Sequence, residues 1–93
     1  MAGFPIESPG GIPDDSLVER WIEPNPHRPG VAEAIVRGTG VPVWALVGHS
    51  RHVRDLGEVA RDYDLPSEAV AAALAYYQRH KAELDQRLAA NAA

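Results

Sequence analysis

Apolar and polar side chains alternate with a period of two over residues 17–22, a stretch rich in β-branched and aromatic residues. Such alternation is typical of a short, half-buried strand. Residues 23–30 contain three prolines and a glycine, which predict a turn. Residues 34–36 can return as a second strand, and the two glycines of residues 37–40 permit the positive φ of a tight turn. We therefore predict a short β-hairpin near the N-terminus.

The period then changes to that of a helix. Residues 43–47 predict a first helix that begins after Pro42, because proline is tolerated at a helix start. Gly48 can terminate this helix. Residues 49–54 then predict a polar connector.

A second helix is predicted from Asp55, a good N-cap residue that stands at capping-box spacing from Glu58. Its apolar residues fall at i, i+3, i+4 and i+7 and define one face, which comprises Leu56, Val59, Ala60 and Tyr63. Pro66 interrupts the helix, so the turn comprises residues 64–66. Ser67 is then predicted to cap a third helix.

The third helix is predicted to run to Ala90, because no glycine or proline breaks it. Its stripe is spaced 4-3-4-3-4 and comprises Val70, Leu74, Tyr77, Lys81, Leu84 and Leu88. A helix of about 23 residues is about 35 Å long, which exceeds what two short helices can cover. We therefore expect the half from Gln78 to project and to need a second surface over its leucines.

Two helices joined by a three-residue turn, after a first helix, are typical of a helix-turn-helix unit. The predicted fold class is mainly α: a homeodomain-like trihelical helix-turn-helix with a short N-terminal β-hairpin and a long C-terminal helix. Residues 1–15 hold three prolines and three glycines and are predicted to be a flexible tail. Residues 16–93 would form the domain.

The chain contains no cysteine, which excludes disulfides and thiolate chemistry and favours the cytoplasm. No apolar run approaches the length of a membrane span, so no membrane partner is expected. The formal net charge of −4 argues against a dedicated nucleic-acid binder. Residues 31–57 differ from the rest, because they carry three basic and two acidic side chains.

Few residues suggest a catalytic site, a metal site or a cofactor site. We therefore expect no metal and no cofactor. His49 and His52 are the one close histidine pair, but no carboxylate or cysteine ligand lies nearby in sequence. Gly38-Thr39-Gly40 lacks the lysine of a P-loop. Ser50 beside His49 is a sequence adjacency, which rarely activates a nucleophile. The chain is therefore predicted not to be an enzyme.

Two binding surfaces are candidates. In a helix-turn-helix the third helix would read DNA, but its early positions are Glu68 and several alanines, which cannot recognise bases by hydrogen bonding. The candidate phosphate contacts are instead Arg51, His52, Arg54 and Arg61. The candidate partner-binding residues lie on the C-terminal helix and are Tyr77, Lys81, Leu84 and Leu88.

Residues 34–44, Ala-Ile-Val-Arg-Gly-Thr-Gly-Val-Pro-Val-Trp, resemble the signature of the bacterial family known as domain of unknown function 433. Residues 59–63 and two later motifs are similar to the same family: Val70-x-x-Ala73-Leu74-x-Tyr76-Tyr77 and His80-x-x-Glu83-Leu84-Asp85. The resemblance covers about residues 20–86. Three departures stand out: Gly40 replaces the family's arginine, Val31-Ala32 replaces a Gly-Gly pair, and Asn25-Pro26 replaces an Asp-Pro.

This resemblance implies a homeodomain-like fold and a VapB-like antitoxin role beside a PIN-domain ribonuclease toxin. The leading hypothesis is a homodimeric antitoxin of a toxin-antitoxin system, which binds and neutralises the toxin through its C-terminal helix and regulates its own operator DNA. The alternative is a stand-alone helix-turn-helix DNA-binding transcriptional regulator.

Overall fold

The computed structural model describes residues 11–92. These residues are mainly helical, as predicted, with five α-helices and one small antiparallel sheet. The elements in chain order are α1 (Gly11–Trp21), β1 (Ile22–Glu23), a 3₁₀ turn (Val31–Glu33), β2 (Ile35–Val36), α2 (Val43–His52), α3 (Leu56–Tyr63), α4 (Ser67–Arg79) and α5 (Lys81–Ala92). None of these helices is long and apolar enough to cross a lipid bilayer.

Helix α1 occupies most of the stretch predicted as the first strand, so that prediction is wrong except at Ile22. The six residues fit both periods, because Val18 and Ile22 are also four residues apart, the spacing of one helix face. Both are buried, since α1 packs along α4. The predicted tail over residues 1–15 lies partly outside the described residues, and residues 11–15 belong to α1.

The two-stranded sheet is antiparallel, with Ile22 opposite Val36 and Glu23 opposite Ile35, and it is shorter than the predicted hairpin. The turn predicted at residues 37–40 is confirmed, with φ of 78° at Gly38 and 76° at Gly40. A side chain at position 40 would meet no atom within 4 Å. The positive φ, rather than lack of space, is therefore what favours glycine at position 40.

Helix α2 continues past Gly48 to His52, so the predicted terminator is wrong and so is the connector over residues 49–52. Gly48 instead permits a close approach of α5, because a Cβ at this position would lie 3.2 Å from Leu88 Cδ2. Glycine here serves the packing of two helices rather than the end of one.

Helix α3 is capped as the sequence indicates. Asp55 Oδ1 accepts hydrogen bonds from the Gly57 and Glu58 amides at 2.9 and 3.4 Å. The helix ends at Asp64, which adopts the left-handed conformation with φ of 58°. Pro66, rather than the predicted Ser67, is the N-cap residue of α4. The predicted second helix is confirmed by α3, and the predicted turn over residues 64–66 is confirmed by the start of α4 at Ser67.

Helix α4 lies at the centre of the fold and packs against α1, α2 and α3, with α5 following it. Its inward residues are small and fully buried: Ala69, Val70, Ala72 and Ala73. The predicted single helix over residues 67–90 is wrong, because the chain turns at His80 and α5 folds back. Leu84 consequently has no exposed surface and belongs to the core. Burial of this leucine favours the turn over a projecting rod.

Candidate protein-binding groove

Arg37 fixes the end of α1 against the sheet. Its guanidinium donates hydrogen bonds to the carbonyl oxygens of Glu19 at 3.0 Å and of Arg20 and Ile22, both at 3.2 Å. It also donates to Glu23 Oε1 at 3.3 Å. These carbonyls lie at or just beyond the C-terminal end of α1, where helix-internal donors are lacking. The arginine of the Arg-Gly-Thr segment is therefore a helix cap that joins α1 to β2.

Replacing Arg37 with alanine is expected to lower the free energy of unfolding by about 1–2 kcal/mol, because several carbonyls lose a charged donor at a half-exposed site. Urea denaturation measures this loss. Arg20→Ala is the matched control, since its ion pair with Glu68 is 3.8 Å long and its side chain is 65% exposed. The control should lose less than about 0.5 kcal/mol. Equal losses in the two variants would contradict the capping role.

A groove of about 560 Å³ opens beside this cap, between α1, β1, the 3₁₀ turn and α4. Its lining is mostly apolar and also includes the polar side chains of Glu19, Glu23, Arg37 and Tyr76. The lining includes Val18, Glu19, Ile22, Val31, Ala34 and Tyr76. Val31 is 39% exposed, and Leu56 is the other exposed large apolar side chain among the described residues. The groove therefore offers an apolar surface that is open to a partner.

Tyr76 holds the wall of the groove in place. Its hydroxyl donates to the Val31 carbonyl oxygen at 2.8 Å, which joins α4 to the 3₁₀ turn across 45 positions in sequence. Burial raises the pKa of Tyr76, and Glu83 adds to that shift. The phenol therefore remains protonated at neutral pH and keeps its role as donor.

The chemistry of this groove suits binding. Its titratable side chains are carboxylates, an arginine engaged in capping and a protonated tyrosine. No group of histidine, cysteine or carboxylate side chains suited to a metal occurs among residues 11–92. An apolar wall with a few oriented polar groups is the usual character of a site that binds a ligand or a protein side chain.

The predicted partner-binding residues do not form one exposed surface. Leu84 is completely buried and Leu88 is half-buried, whereas Lys81 is exposed. Tyr77 is half-buried and its hydroxyl donates to Asp85 Oδ1 at 2.7 Å. The premise that the distal leucines lack cover within the chain is therefore wrong, because α5 lies on α2 and on the 3₁₀ turn.

Arg51, the first predicted phosphate contact, is engaged in an ion pair. Its Nη2 lies 2.7 Å from Asp85 Oδ1 and donates to the Tyr77 hydroxyl at 3.1 Å. The hydrogen bond from Tyr77, followed by that from Arg51, lowers the pKa of Asp85 below its ordinary value of 3.8. This cluster of three side chains, Arg51, Tyr77 and Asp85, joins α2, α4 and α5 and neutralises the arginine.

The Asp85 contribution to stability is expected to depend on pH. Because its pKa is lowered in the folded chain, the contribution is present above the ordinary value of 3.8 and is lost as pH falls through the folded pKa. Asp85→Asn should therefore lower the melting temperature at pH 7, and the difference from the wild type should shrink in acid. Thermal melts of both proteins across this range provide the test. A difference that stays constant would contradict the ionised cluster.

The other predicted DNA contacts are His52 at the end of α2, Arg54 in the connector that follows, and Arg61 on α3. His52, Arg54 and Arg61 are exposed, and neither arginine forms an ion pair with the side chains that the structure describes. The helix predicted to read bases is enclosed, since in α4 Ala72 is buried and Ala71 and Ala75 are half-buried. The structure thus leaves basic groups exposed without an open reading helix.

The histidine pair is not a shared site. His49 Nε2 lies 2.9 Å from Asp62 Oδ2, and its ring meets the Tyr63 ring edge-on at 5.4 Å between centroids. His52 is exposed one turn further along α2. His49 therefore joins α2 to α3.

The groove and the Arg37 cap were missed by sequence reasoning. The sequence of residues 37–40 indicates only a turn, although an arginine after a strand can also cap a neighbouring helix. Nothing in the sequence around Val31 indicates that it lies at a groove. The other walls of the groove are α1 and α4, which are distant from Val31 in sequence.

A family model described as "Protein of unknown function (DUF433)" matches residues 30–77, more than half of the chain. The chain therefore belongs to this family, as its motifs indicated. No curated protein and no solved structure matches it significantly. The matched region includes Val31, Arg37 and Tyr76, so one wall of the groove and the cap lie within the family domain. Helices α1 and α5 lie outside it.

Proposed function

We propose that this chain is a non-catalytic adaptor of the antitoxin type, which binds a partner protein through the groove beside Val31. The observation that carries this proposal is a 560 Å³ apolar groove with an exposed valine at its edge. Apolar side chains that are open to solvent gain free energy when a partner covers them. The partner's class, a PIN-domain ribonuclease toxin in the cytoplasm, rests on the family resemblance of residues 34–44.

The charges around the groove define the partner segment further. Glu19 on α1 is exposed and forms no ion pair with the described side chains, whereas Glu23 is paired with Arg37. An apolar side chain of the partner, flanked by a basic residue that faces Glu19, would complement this surface. We also propose that α2, α3 and α4 form the homeodomain-like arrangement. Helix α4 packs on α2 and α3 and contributes one wall of the groove.

Co-expression with the product of the neighbouring gene tests the proposal, and we expect that product to be a PIN-type toxin. We expect the two chains to co-elute at a fixed ratio and the ribonuclease to be inhibited. If the full chain neither binds nor inhibits that toxin, the antitoxin proposal fails. The groove itself is tested by the Val31 variant described in the Discussion.

DNA binding remains the second candidate, because Arg54 and Arg61 are exposed and unpaired among the described side chains. If the chain binds its operator, Arg54→Ala with Arg61→Ala should lower the slope of log affinity against log salt by about two units. Arg20→Ala on α1 is the control. Fluorescence anisotropy over a salt series measures the slope. An unchanged slope would remove these arginines from any DNA contact.

A further inference from the structure

A single residue separates α4 from α5. His80 has φ of −128° and ψ of 42°, and its amide donates to the carbonyl oxygens of Tyr76 and Tyr77. Its own carbonyl accepts from the Leu84 amide at 3.0 Å, so helical bonding resumes immediately. Residues 67–92 contain no glycine or proline. Local sequence therefore permits one continuous helix, and the break at His80 depends on the packing of α5.

The surface that receives α5, which we call the α5 seat, is formed by α2, the 3₁₀ turn and the end of α4. Leu84 is completely buried there and Leu88 packs over Gly48. Polar contacts fix the helix along the seat: Arg87 Nε lies 2.8 Å from Glu33 Oε2, the Arg87 guanidinium lies 4.3 Å from the Trp44 ring, and Asp85 binds Arg51 and Tyr77. The seat is thus specific for the residues of α5.

We propose that two copies of this chain exchange α5, so that α5 of each copy occupies the α5 seat of the other. Straightening at His80 would form one helix of about 39 Å from Ser67 to Ala92, with helical hydrogen bonds restored across the break. Leu84 would then leave its own seat, and the seat of a second copy would re-form the same contacts. Short hinges favour such exchange, because the closed chain has little slack.

A second copy is the occupant because the seat recognises α5 by sequence. Any chain that fills the seat must supply a leucine, an aspartate one residue later and an arginine two residues after that, as α5 does with Leu84, Asp85 and Arg87. A second copy supplies this pattern without any further assumption. The exchanged dimer is incomplete unless each copy contributes its α5.

Opposite charge reversals test the exchange. Arg51→Asp alone places two carboxylates together and Asp85→Arg alone places two guanidinium groups together, both in the closed chain and in an exchanged homodimer, so neither variant regains the pair by itself. In a mixture, the aspartate at position 51 meets the arginine at position 85 in one seat, and the native pair forms in the other. Native mass spectrometry should show heterodimers in about tenfold excess over either homodimer. Two folded variants that form no heterodimer would overturn the proposal.

A disulfide readout covers the case in which these variants do not fold. The chain lacks cysteine, and Gly48 faces Leu88 across the seat. After oxidation at high protein concentration, the double variant Gly48→Cys with Leu88→Cys should give covalent dimers on a non-reducing gel. A Gly-Gly-Ser insertion after His80 is the control, and it should shift the product to internally linked monomers. Internal disulfides alone, in the chain without the insertion, would overturn the exchange.

Discussion

Replacing Leu84 with alanine is expected to lower the free energy of unfolding by about 2–5 kcal/mol, the usual cost of truncating a fully buried leucine. Leu84 has no exposed surface and contributes to the same core as α2 and α4. Truncation would leave a cavity beneath α5 that its neighbours fill only in part. Urea or thermal denaturation followed by circular dichroism measures the loss.

Two matched leucines serve as controls. Leu88→Ala should cost less, because Leu88 is half-buried, and Leu56→Ala should cost less than about 0.5 kcal/mol because Leu56 is 37% exposed. Leu84→Met, which nearly conserves volume, should cost less than about 1.5 kcal/mol and keeps the test readable if the alanine variant is unfolded. Lost partner binding at an unchanged melting temperature in Leu84→Ala would instead indicate the projecting helix that the sequence pattern predicts.

Replacing Val31 with aspartate is expected to weaken partner binding by about 10–100-fold with little change in stability. Fully burying a valine is worth about 1.5–3 kcal/mol, so covering the 39% of Val31 that is exposed is worth about two-fifths of that. The desolvation cost of burying a carboxylate supplies the rest of the expected loss. The Val31 side chain is 39% exposed, and the Tyr76 hydrogen bond goes to its backbone oxygen, so the 3₁₀ turn should survive. Isothermal titration with the co-purified toxin measures the affinity.

Leu56→Asp is the control for Val31→Asp. Leu56 is exposed to a similar extent, 37%, and does not line the groove. It begins α3, where an aspartate is tolerated near the helix N-terminus. Binding should therefore be retained in this variant. Equal loss in both variants would mean that general surface apolarity, rather than the groove, binds the partner, and unchanged binding in Val31→Asp would exclude the groove.

The elements that the sequence predicts well depend on backbone chemistry within a few residues. Asp55 caps α3 because its side chain reaches amides two and three positions ahead, and Asp64 ends α3 in a left-handed conformation. The turn at residues 37–40 follows from two glycines that adopt positive φ. At these positions the backbone groups that gain hydrogen bonds or positive φ lie within a few residues of one another, so the local sequence is enough to predict them.

The elements predicted wrongly are those in which two local structures have similar free energy. Residues 17–22 fit a strand and a helix equally well, and packing of Val18 on α4 favours the helix. Gly48 can end a helix or permit close packing, and the approach of Leu88 determines the second outcome. His80 lies in a stretch that could remain helical, yet burial of Leu84 bends it.

The sequence by itself therefore determined the mainly helical class, the caps and turns around α3, the family, and the absence of cysteine chemistry. The tertiary structure alone decided the helix α1, the fold-back of α5, the Arg37 cap and the groove beside Val31. The physical reason is the separation in sequence between the residues that interact. Caps and turns gain their free energy from neighbours in sequence, whereas burial and capping across the fold join residues that only the assembled core brings together.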